Sequence, residues 1–182
     1  NELHEQLTGE AAQAAGWPQV HPDEQDEQVE TAEAQLRAVI ADIEGIQRSL
    51  ANADEAVPEA DPDRITITVA AGWKYDVYAT VLAADGEQGA AMAEVMAEPG
   101  MRERGDVINT LVGELITQLR ERPQQRAATL ATIDELGVYT DAAGFLADRF
   151  DAEIEVVREA DGDAVRPVPF RPELTLAVDQ EE

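Results

Sequence analysis

With 182 residues, 44% of them hydrophobic, the chain is long enough to bury a sizeable core, and its lack of cysteine excludes a disulfide framework and a thiolate metal site. Its 39 acids stand against 13 bases, a formal charge of −26. No apolar run approaches the ~20 residues of a membrane span, and no basic start leads into an apolar run as in a signal peptide, so a soluble, cytoplasmic protein is expected.

The chain begins at Asn1 with helical spacing already present, which is the look of a piece of a longer protein. Leu3, Leu7, Ala11 and Ala14 share one face of a helix that Gly16 stops, and Trp17-Pro18 opens a polar connection. From about Asp26 to Leu50, the positions Val29, Ala32, Leu36, Val39, Ile43, Ile46 and Leu50 keep an alternating three-four spacing. That seam suits packing along a neighbouring helix, in an antiparallel bundle or a free coiled coil, and the short loop before it favours the bundle. Residues 51–63, with two prolines and few large apolar residues, read as a linker.

A second unit opens at Arg64. Ile65, Ile67 and Val69 alternate with Thr66, Thr68 and Ala70 in a strand, and after Ala71-Gly72 a helix carries Trp73, Val77 and Val81 on one face. A shorter helix around 88–97 carries Met92, Val95 and Met96. A strong one from about Asp106 buries Ile108, Leu111, Leu115 and Leu119 and ends before Pro123. Leu130 and Ile133 mark a short helix closed by Gly137, and Thr140 or Asp141 caps the next, which holds Leu146 and Phe150. Strands around 154–157 and 174–178 follow, separated by turn chemistry and three prolines. The expected fold is α+β: a helical hairpin over 1–50, a linker, and a 64–182 domain whose first strand pairs with the late ones.

The acidity has two explanations. Disorder needs low hydrophobicity, which this chain does not have. A folded protein from a salty cytoplasm fits better, because at ~1 M salt the Debye length is only ~3 Å and surface repulsion is screened. An acidic tail or a nucleic-acid mimic is the competing explanation. The charge is uneven: residues 1–63 carry net −14, residues 64–127 net −2, and residues 128–182 net −10. The middle third has been spared.

That third holds Lys74, the chain's only lysine, together with Arg102, Arg104, Arg120, Arg122 and Arg126 around the helix of 106–121. Arginines in such a group can grip RNA phosphates, or can complement a helix C-terminus and pair with nearby acids. Trp73 and Tyr75 can stack on bases, although a tryptophan opening a helix after a strand is more often a core anchor. Tyr75 is offset from the buried stripe and is the better candidate, and Lys74 is expected to be exposed. His4 and His21 have no partner at ligand spacing, and Asp161-Gly162-Asp163 lacks the order of a calcium loop. No Walker A, GxGxxG, HExxH or nucleophile-elbow pattern is present.

The order of pieces is similar to a known family. The NELHEQL helix, a Gly-Trp-Pro, the AVIADIEGI stretch, ITITVAAGWKYDV and PVPFRPELTL resemble the C-terminal part of archaeal-type leucyl-tRNA synthetases. The carrying motifs are Val69-Ala70-Ala71-Gly72-Trp73-Lys74 and Pro169-Phe170-Arg171-Pro172-Glu173-Leu174. The resemblance implies that residues 1–50 finish an anticodon-binding bundle and that 64–182 form a tRNA-binding domain reaching the elbow and long variable arm of the leucine tRNA. It places Pro172 and Leu174 near the arm's tip. ATP and magnesium would be bound by the parent enzyme, since the HIGH and KMSKS signatures are absent here. The expected partners are then leucine tRNA and the catalytic body of the same chain, with neither membrane nor DNA. A protein-interaction module docking through the heptad seam is the alternative.

Overall fold

A computed structural model describes residues 27–53, 61–122, 128–160 and 165–178. The expected helix of residues 1–15, both histidines, linker residues 54–60, Arg126 and the turn at 161–163 lie outside the described residues. In order, the elements are α1 (Glu27–Ala51), β1 (Arg64–Val69), α2 (Gly72–Ala83), α3 (Gln88–Val95), a 3-10 turn (Met101–Arg104), α4 (Gly105–Glu121), a second 3-10 turn (Ala128–Thr132), α5 (Glu135–Phe150), β2 (Glu153–Arg158) and β3 (Glu173–Ala177). The fold is α+β, as expected.

The β-branched run RITITV makes β1 the centre of a three-stranded sheet of order β2-β1-β3. It runs parallel to β2, with Ile67 opposite Val156, and antiparallel to β3, with Ile67 opposite Leu174. The parallel pairing requires a long crossover, and all of α2 to α5 lies within it. Ile65, Ile67 and Val69 are completely buried. With Val39 and Ile43 of α1 and Tyr139 and Leu146 of α5 they form one hydrophobic cluster. The long helix therefore packs on the sheet and α5 through the middle of its seam, while Val29 at the start of the seam is 63% exposed.

A second cluster joins α2, α3 and α4. Val77, Tyr78 and Val81 meet Val95 and the α4 stripe Ile108, Leu111, Val112, Leu115 and Leu119, and Val168 and Phe170 close it from the segment before β3. The opposite face of the sheet is polar. It presents Thr66 between Glu155 and Thr175, and Arg64 beside Glu153.

One stretch departs from the expected pattern. Gly137 does not end a helix, and neither Thr140 nor Asp141 begins one. α5 starts after Asp134 and runs through all three residues, with the Thr140 hydroxyl donating to the Leu136 carbonyl at 2.7 Å. A glycine inside a helix costs about 1 kcal/mol. Burial of Tyr139 and Leu146, with Leu136, Val138, Ala142 and Phe150 packed beside them, outweighs that cost. The helix ends instead at Asp151, whose φ of 50° is left-handed. Asp151→Gly should therefore raise stability by about 0.5–1 kcal/mol in urea denaturation, by removing the Cβ penalty at that position. A loss of stability would mean that the aspartate side chain supports the helix end.

Candidate nucleic-acid interface

The β1–α2 junction is built around a buried cation. Lys74, expected to be exposed, is 0% exposed. Its ammonium donates to Glu159 Oε2 at 2.7 Å, to the Pro167 carbonyl at 2.9 Å and to the Val165 carbonyl at 3.4 Å. Glu159 also accepts from the Ala71 N–H at 3.3 Å, at the start of α2. An ammonium has three donors and no acceptor, so such a cage satisfies it only where carboxylate and carbonyls converge. The expectation of exposure fails because Lys74 lies one turn before Tyr78 on the buried face, a position where helical periodicity calls for an apolar residue.

Trp73, expected as a core anchor, is half-buried and packs at the edge of the helical cluster, with the Arg104 guanidinium 5.2 Å from its ring centroid. Tyr78 takes the fully buried aromatic place. Tyr75 is half-buried, and its hydroxyl donates to Glu135 Oε2 at 2.6 Å. Its ring meets Phe170 edge-on at 5.6 Å, with Arg158 5.7 Å from the ring centroid. Its hydroxyl and much of its ring are thus already engaged within the protein.

The arginines do not form a single patch. Arg102 and Arg104 lie at the start of α4, with Arg102 Nε donating to the Met96 carbonyl. Arg120 and Arg122 lie at its end, about 24 Å away at 1.5 Å per residue. Arg120 is exposed. Arg122 faces an open cleft of about 480 Å³ between α1 and the segment entering β3. Pro172 and Leu174 line the same cleft, together with Arg166, which the sequence did not single out, and Arg171, which it marked only as part of the closing proline motif. Asp42 on the α1 side stands 3.7 Å from Arg122. Of the residues expected to face RNA, Arg122, Pro172 and Leu174 thus share one concave surface.

The segment that brings Arg166 and Arg171 there is held by buried polar side chains. Its prolines remove backbone donors and leave carbonyls needing partners. Lys74 takes the Pro167 carbonyl, and Gln118 Nε2 of α4 donates to the Pro169 carbonyl at 2.8 Å. Glu135 of α5 accepts from the Phe170 N–H at 2.8 Å. Phe170 sits at φ 60°, uncommon for an aromatic residue, with its ring buried against Tyr78 at 5.1 Å. Burial pushes the Glu135 carboxyl up to about 7, against the hydrogen bonds from Tyr75 and Phe170, the neighbouring Tyr139 hydroxyl and the charge of Arg158. That hydroxyl acts on the carboxyl without aligning as a hydrogen bond. Burial and then Glu135 raise the phenols of both Tyr75 and Tyr139.

Among the described residues no group of histidines and acids could hold a metal ion, and no described helix is long and apolar enough to cross a membrane.

Three relatives bear on this geometry. The chain is 30% identical over 178 residues to the leucine–tRNA ligase of Pyrococcus abyssi, covering 96% of the chain and 17% of that protein. It is 32% identical over 168 residues to the leucine–tRNA ligase of Aeropyrum pernix, covering 90% and 16%, and 29% identical over 178 residues to that of Pyrococcus furiosus. The chain is similar to one segment of archaeal leucine–tRNA ligases. It spans about a sixth of the length of the curated relatives it matches. No family model matches it.

Two stability measurements check the buried polar groups. Lys74→Met leaves Glu159 uncompensated and should destabilise the fold by about 3 kcal/mol or more in chemical denaturation. A change under about 1 kcal/mol would show that the pair is not a structural support. Glu135 binds its proton more tightly folded than unfolded. Its stabilising contribution is therefore full below the ordinary value of 4.5 and is lost as pH rises through about 7. Glu135→Gln should flatten that part of the stability–pH curve relative to the wild type, and identical slopes would refute the assignment.

Proposed function

We propose that the chain is the C-terminal, tRNA-recognising part of a leucine–tRNA ligase adapted to a salty cytoplasm. Residues 1–50 finish the anticodon-binding bundle, and 64–182 form a domain directed at the elbow and long variable arm of the leucine tRNA. The observation that carries this is the similarity to leucine–tRNA ligases over 90–96% of the chain. The fold supports it: the least acidic third of the sequence supplies α4 and its terminal arginines, while the acid-rich outer sheet face would repel RNA. A long variable arm is a shape cue, read by backbone and stacking contacts rather than by base edges in a groove.

No step of leucine activation is assigned to these residues. ATP and magnesium belong, on this reading, to the remainder of the parent enzyme, as the resemblance to leucyl-tRNA synthetases implies. The alternative of a module docking a partner through the heptad seam loses the middle of that seam. Val39 and Ile43 there are already buried within the fold.

Gel-shift titration of the full chain in molar salt tests the proposal, with intact leucine tRNA and with tRNA lacking its variable arm. Tighter binding of the intact tRNA is expected; equal affinity for both, or none for either, would sink the variable-arm reading. Arg120→Glu should weaken binding about tenfold with an unchanged melting temperature, since Arg120 is exposed at the end of α4. A drop in melting temperature of more than about 5 °C would make Arg120 structural instead.

A further inference from the structure

The cleft between α1 and the 165–174 segment brings Arg122, Arg166 and Arg171 together. We infer that it is a preformed phosphodiester site, in which Arg122, Arg166 and Arg171 grip adjacent backbone phosphates of an RNA strand. Ile46, Pro172 and Leu174 form its apolar wall. The inference rests on the RNA-binding reading and specifies where on the chain the backbone is held.

Charge is the first argument. In a chain with 39 acids and 13 bases, several described bases are closely paired with acids: Arg37 with Glu33, Arg64 with Glu153, Lys74 with Glu159, Arg149 with Glu44. Arg166 and Arg171 have no acid partner among the described residues, yet both face one cleft. Arg122 meets Asp42 only at 3.7 Å, a loose pairing that an incoming anion can displace. Three planar guanidinium forks match phosphate oxygens, and with a volume of about 480 Å³ the cleft admits a nucleotide-sized group. Asp42 and Glu173 also line it and oppose an anion, so the local balance is three cations against two acids.

Preorganisation is the second argument. The segment bearing Arg166 and Arg171 is fixed from three directions, by Lys74 at Pro167, Gln118 at Pro169 and Glu135 at Phe170. All three side chains are at most 2% exposed. The backbone that carries the two arginines therefore has little freedom left to lose when a phosphate arrives. The third argument is space. α1 places Gly45 at the cleft wall, and a Cβ built there would meet nothing within 4 Å.

Three variants of the full chain test the site, using leucine tRNA, a single-stranded oligo(U) and a poly-glutamate peptide as probes. Arg166→Glu with Arg171→Glu should weaken affinity for both RNAs by at least about tenfold. It should also flatten the dependence of log Kd on log salt by about 0.7 for each phosphate no longer held. Asp42→Asn should tighten RNA binding by releasing Arg122, an outcome a merely structural role does not produce. Gly45→Leu should block the cleft while keeping or raising the melting temperature, because leucine is the better helix former and the space is open. Unchanged affinity and salt slope in the double variant, or wild-type binding by Gly45→Leu, would overturn the inference. So would a double variant that fails to bind poly-glutamate, where the wild type binds it, while holding RNA as before. If the wild type binds oligo(U) through these arginines but does not prefer leucine tRNA, the site stands and the tRNA-specific proposal fails.

Discussion

The ammonium of Lys74 ties together three stretches that are distant in sequence: the β1–α2 junction that carries it, Glu159 at the end of β2, and the carbonyls of Val165 and Pro167. Removing a charge from water costs several kcal/mol, and only a nearby carboxylate and well-placed acceptors offset that cost. The cage therefore forms only when β1 and β2 are in register and the following segment has folded back over α2. Apolar burial elsewhere in the molecule tolerates small displacements. This cluster of hydrogen bonds does not, so it fixes how the two hydrophobic clusters meet.

Glu135 has a similar place on the other side of the segment. Its carboxyl lies between Tyr75, which packs with the helical cluster, and Tyr139, which packs with the sheet cluster, and it accepts from the backbone of Phe170. A larger apolar side chain there would leave the Phe170 N–H and the Tyr75 hydroxyl without acceptors, at about 1–3 kcal/mol each. These buried polar groups thus specify one path for a proline-rich segment that has no regular secondary structure of its own. Arg166 and Arg171 inherit their positions from that path.

The acidic surface gives the position of each base its significance. Arg64 and Arg149 are neutralised by neighbouring carboxylates, and the outer sheet face is lined by glutamates. A polyanion approaching this molecule finds few places where repulsion is relieved, and high salt would shorten the range over which it feels the rest. Under those conditions binding of a polyanion would depend on short-range contacts with fixed geometry more than on long-range attraction.

Local patterns along the chain were enough to define most elements and their class. The RITITV alternation marks β1, the stripe from Ile108 to Leu119 marks α4, and the heptad seam marks α1, because each pattern reflects burial along one element. The less acidic middle third and the resemblance to leucyl-tRNA synthetases were equally legible. The burial of Lys74, the unbroken course of α5 through Gly137 and the meeting of Arg166 and Arg171 with Arg122 were not. Each of these depends on groups far apart in sequence. Lys74 bonds to a carboxylate 85 residues away, and Gln118 reaches a carbonyl 51 residues on. Periodicity records only which side of an element is buried; the partners that make burial of a charge tolerable come from distant parts of the chain.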